Sequence, residues 1–151
     1  MLLRPIAALT LFFAFGAVGA TDTQPAVIGK QEFVAFKAQV GKDFDQDKRY
    51  TEIKPEDRQT VTQTLARMEG RWQKVGDSTQ LNPSDRVDMA NDQEIVATIL
   101  DHAAADSRVV CHRDAPTGSH LPTTNCMTVA QRKRTQEKAQ DSMRDGKSVT
   151  N

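Results

Sequence analysis

From Lys30 onward the chain repeats apolar positions at helical spacing. Phe33, Phe36, Val40 and Phe44 recur at steps of three, four and four, which places them on one stripe of a helix. Gly41 weakens the end of that helix, and residues 43–49 read as a charged connector. Val61, Leu65, Met68 and Trp72 form a second seam, with Gly70 on its flank and Gly76 closing the region. Met89, Val96 and Leu100, together with Ile95, Ile99 and Ala103, make a broader third face, expected to belong to the most buried helix. The second and third helices start alike, in Ile53-Lys54-Pro55-Glu56-Asp57-Arg58 and Leu81-Asn82-Pro83-Ser84-Asp85-Arg86. Proline suits the first helical position because its missing N–H has no intrahelical acceptor there, and Asn82 is a good N-cap. The likeness fades after six residues, so it reflects shared start chemistry rather than duplication. Three amphipathic stripes, each needing a facing stripe, predict a mainly α protein built on a small three-helix bundle.

The pattern changes after Ser107. Residues 107–113, with Val109, Val110 and Cys111, lie on one side of a turn-forming stretch, and residues 123–129, with Cys126, on the other; Pro116, Thr117, Gly118, Ser119 and Pro122 fall between. This predicts a disulfide-closed loop or short hairpin, completing a helical domain over residues 30–129. Residues 130–151 carry almost no apolar stripe and read as a charged tail, solvated where helical and disordered from Gly146 onward.

The other end differs again. Residues 1–5 carry one positive charge, Arg4, residues 6–18 run apolar, and Val18 and Ala20 provide a small-residue cleavage site before Thr21. Residues 1–20 therefore read as a secretory signal peptide, and 21–29, with Pro25, as a flexible leader. The apolar run is shorter than the roughly 20 residues of a spanning helix, so no membrane span is expected in the mature form. Location in the periplasm or outside the cell follows.

Charge changes this picture little. The chain has 20 Lys plus Arg and 20 Asp plus Glu. A nucleic-acid binder would show a basic domain, so nucleic acid is not an expected partner. The acidic excess lies before residue 106 and the basic excess after it, with Arg132-Lys133-Arg134 the densest basic run.

Cys111 and Cys126 are the only cysteines, and in an oxidising compartment one disulfide is the simplest reading. Cys111, His112, His120 and Cys126 carry zinc-type donors, but only two of them lie close in sequence and those are adjacent, so no metal site is expected. Ser119 beside His120, with Asp114 as a third member, lacks a nucleophile elbow. Asn91, Glu94 and Thr98 share a helix face. Glu94 is a candidate general acid, or, with Asn91, part of a structural polar network that receives Ser107 or Arg108 as the chain turns back. No catalytic residue and no cofactor is assigned.

The combination Asn91-Asp92-Gln93-Glu94, Ser107-Arg108, Cys111, Thr117-Gly118-Ser119-His120 and Cys126-Met127-Thr128 is similar to an uncharacterised group of small exported bacterial proteins, over about residues 81–134. Met127 departs from the group's pattern, where a basic residue is common. The resemblance implies export and paired cysteines around a Gly-Ser turn, and carries no activity. The functional expectation is a non-enzymatic binding protein that presents Thr117, Gly118, Ser119 and His120 to an envelope or secreted partner, a hydrolase inhibitor being one form. The rivals are a small envelope hydrolase using Glu94 or His120, and an envelope stress or metal-handling protein.

Overall fold

Proline at the first helical position starts two of the helices, and side-chain caps start two. In a computed structural model that describes residues 25–46, 49–114 and 121–146, the order is α1 (Lys30–Asp45), α2 (Pro55–Trp72), α3 (Pro83–Ser107), β1 (Val109–Asp114), β2 (Thr123–Thr128) and α4 (Val129–Arg144), with one 3-10 turn at Ser78–Gln80. The protein is thus mainly helical, with a small two-stranded sheet. Asn82 caps α3 by accepting from the Asp85 N–H, and Thr128 caps α4 by accepting from the Gln131 N–H.

The helices α1, α2 and α3 contribute to one core. Phe33, Val40 and Phe44 from α1 meet Val61, Leu65, Met68 and Trp72 from α2 and Met89, Val96, Leu100 and Ala103 from α3, with Tyr50 and Leu81 from the connectors. Two predicted core residues are exposed instead: Phe36 is 37% accessible and Ile95 41%. At about 100° per residue, Ile95 points well away from the line through Met89, Val96 and Leu100, and Phe36 sits at the margin of the Phe33–Val40–Phe44 stripe. The first helix also runs through Gly41 to Asp45, past its expected end. Buried Phe44 anchors that last turn, edge-on to Tyr50 at 5.8 Å and beneath the Arg58 guanidinium at 4.9 Å.

Residues 25–29, in the segment expected to be a flexible leader, are partly held. Val27 and Ile28 pack against the core, and the Ile28 N–H donates to Gln93 Oε1 at 2.7 Å. The expected signal peptide, residues 1–20, lies outside the described residues. Among the described residues no helix is long and apolar enough to cross a membrane.

The seam between α2 and α3 contains a polar cluster that the apolar pattern did not announce. Asp92, 5% accessible, accepts from Arg67 Nη2 at 2.6 Å and Nε at 3.2 Å, and from Arg71 Nη1 at 2.7 Å. Arg71 reaches onward to Asp88 at 3.2 Å. A carboxylate can leave water here because both its oxygens receive charge-assisted hydrogen bonds.

Candidate binding surface

The hairpin is antiparallel with Cys111 directly opposite Cys126, and the two sulfurs are bonded at 2.07 Å. The Val129 N–H donates to Arg108 O at 3.0 Å, which sets the alternation of the ladder. Residues 110, 112 and 114 turn their backbone groups toward β2, whereas Val109, Cys111 and Arg113 turn theirs outward. The cysteines therefore occupy a non-hydrogen-bonded pair, the register in which opposed side chains come closest.

Glu52, in the connector before α2, ties the root of this hairpin to the helical body. Its backbone N–H donates to Ser107 Oγ at 2.9 Å, its Oε1 accepts from Thr128 Oγ1 at 2.6 Å, and its Oε2 accepts from Arg134 Nη2 at 2.9 Å. Thr128 serves both sides, since its hydroxyl also caps α4. The Thr128 hydrogen bond, helped by Arg134 and opposed by desolvation, holds the Glu52 carboxyl below the ordinary glutamate range. One exposed residue of the expected basic run, Arg134, is thus committed to a structural contact.

One face of the hairpin and one face of α4 enclose a groove of about 380 Å³ lined by His112, Asp114, Asn125, Met127, Arg132, Thr135, Gln136 and Ala139. Arg132 Nη1 lies 2.7 Å from His112 Nε2. A guanidinium only donates, so Nε2 is the acceptor in this pair.

The predicted loop residues Thr117, Gly118, Ser119 and His120 lie outside the described residues. Asn91 and Glu94 share an exposed face of α3, over a surface depression lined by these two with Ile95, Thr98 and Ile99 and by no second titratable side chain. Arg108 does not reach them. It is the C-cap of the same helix, fourteen residues beyond Glu94, a separation of about 21 Å at the helical rise. The expected Asn91–Glu94–Arg108 network is therefore not assembled: α3 continues to Ser107 before the chain turns, too late to bring Arg108 back. The network that does form at this corner joins Ser107 to Glu52, and the one within α3 centres on Asp92, the neighbour of Asn91.

Among the described residues no group of three or more His, Cys, Asp or Glu side chains is placed to hold a metal, and both cysteine sulfurs are taken by their mutual bond. Comparison with protein-family models, with curated proteins and with solved structures finds no match to this chain.

Proposed function

We propose that this protein is an exported binding module that presents the segment between its two cysteines, with Thr117, Gly118, Ser119 and His120, to a protein partner, a hydrolase cleft being one such target. The observation that carries this reading is the stem. Its strands are crosslinked at Cys111–Cys126, and its root is held to the helical body through Ser107, Glu52, Thr128 and Arg134. A segment closed by a fixed stem has less conformational freedom to lose on binding, so its side chains contribute affinity at lower ordering cost. The exposed depression around Glu94 gives less support to a hydrolase, because general acid–base work needs a second group within reach of the reacting atoms.

The test is recovery of partners by the tagged protein from an envelope extract under non-reducing conditions. Ser119→Ala with His120→Ala should reduce recovery of a specific partner while the circular dichroism spectrum is unchanged. Glu94→Gln should leave recovery as in the parent. A hydrolytic activity abolished by Glu94→Gln and untouched by the loop variant would replace this reading with the carboxylate enzyme.

A further inference from the structure

The hairpin has an unused edge. Val109, Cys111 and Arg113 direct their backbone N–H and C=O groups away from β2, and among the described residues no backbone group pairs with them. Val109 is 60% accessible at this edge. An unpaired edge is a template for another strand, and proteins that need to stay monomeric cover or shorten such edges.

We propose that the occupant is β1 of a second copy of this chain, giving a two-fold symmetric dimer with a continuous four-stranded sheet. Two constraints select the arrangement. The first is parity: only outward-facing residues can bond across the new seam, so Val109, Cys111 and Arg113 must meet Val109, Cys111 and Arg113 of the other copy. The antiparallel register that pairs all three within β1 sets Cys111 opposite Cys111 and Val109 opposite Arg113. The second is charge. That same register sets Arg108 of each copy opposite Asp114 of the other, twice by symmetry, at non-hydrogen-bonded positions where opposed side chains lie closest. Neither Arg108 nor Asp114 has an ion-pair partner among the described residues, so both are free to make this pair. Arg113 would lay its aliphatic stem over the exposed Val109 of the other copy. The surface is the edge and not the closed loop, so the dimer stands or falls independently of the binding-module reading.

The test is a concentration series by sedimentation on the full chain, purified without reductant. The parent should show a reversible monomer–dimer equilibrium. Asp114→Arg alone and Arg108→Asp alone each set like charges opposite one another twice, and each should weaken self-association on the order of tenfold to a hundredfold. Mixed in equal amounts, the two variants should associate as the parent does, because one copy then carries a basic side chain at both positions and the other an acidic side chain at both. Val109→Pro, which removes an outward N–H without touching the β1–β2 ladder, should also weaken the dimer. Circular dichroism and non-reducing mass would establish that each variant is folded and crosslinked. A parent that stays monomeric up to about 1 mM, or variants that fail to associate on mixing when the parent does dimerise, would overturn the proposal.

Discussion

The helical body and the hairpin–α4 unit are held by different physics. In the body, apolar side chains from α1, α2 and α3 leave water together, and Phe33, Val61, Met68, Met89 and Val96 are almost wholly enclosed. In the C-terminal unit β1 and α4 bury no residue, and β2 buries only Thr128, a polar one. What holds that unit is the β1–β2 ladder with its covalent crosslink, the Arg132–His112 pair and a set of hydrogen bonds to Glu52. A region that owes little to apolar burial can leave its faces and edges open to contact, which is the property a recognition surface needs. It also follows that the two regions should fail under different perturbations.

The sharpest test is to weaken the body alone. Leu65→Ala removes a side chain that is 4% accessible and leaves a cavity between packed helices, at a cost of about 2–5 kcal/mol. Urea unfolding followed by the fluorescence of buried Trp72 should show the midpoint fall, while the disulfide stays intact. A smaller loss than that caused by removing the crosslink would reverse the ranking of the two regions.

Next comes the crosslink. Replacing Cys111 and Cys126 together by serine should lower stability by about 3 kcal/mol on the loop-closure account. The loss should be local: amide exchange in Val109–Asp114 and Thr123–Thr128 should accelerate and the helical signal should persist. Collapse of the whole helical signal would mean that the hairpin is part of the body's cooperative unit, and the contrast would fail.

A polar tie inside the body gives an intermediate case. Asp92→Ala should cost about 1.5–3 kcal/mol, because Arg71 is only 17% accessible and loses its closest carboxylate. Arg67→Ala should cost less, since that side chain is 49% accessible and water screens its pairing. Thermal melts of the two variants check the order.

The parts that were legible in the sequence are those whose cause is local. Pro55 and Pro83 marked helix starts because proline's missing N–H is harmless only there, and Asn82 does cap α3. The cysteine pair was legible from an even count together with the expectation of an oxidising compartment. The start of α4 carried a readable signal too: Thr128 and Gln131, three apart, form a capping box, each side chain bonded to the other's backbone. Glu52 had no such signal, because its side-chain partners Thr128 and Arg134 are 76 and 82 residues away. Asp92 was hidden for a related reason. Arg67 and Arg71 lie one turn apart and could have announced a shared acid, but nothing local said that the acid would come from α3 and be buried.

The smallest expected effect separates the two regions by pH. The Glu52 carboxyl titrates below its ordinary range chiefly because Thr128 donates to its ionised form, with Arg134 adding to the effect. A group whose folded value is depressed contributes stability that is present above its unfolded value and lost as pH falls through the folded one. The tie at the hairpin root should therefore hold at neutral pH and release on acidification below the ordinary glutamate range, at a cost of about 1 kcal/mol. Protonation weakens the Thr128 hydrogen bond and leaves Arg134 without a charged partner, so the first turns of α4 and the end of β2 should lose amide protection before the core of α2 and α3 does. Glu52→Gln should give the acid behaviour at neutral pH and remove most of its pH dependence, since the amide can still accept from Thr128 but carries no charge for Arg134. Exchange measured at Thr128 and Arg134 against Leu65 and Val96, in parent and variant, decides it. Equal loss of protection at all four positions as pH falls would show that Glu52 does not govern a separate unit.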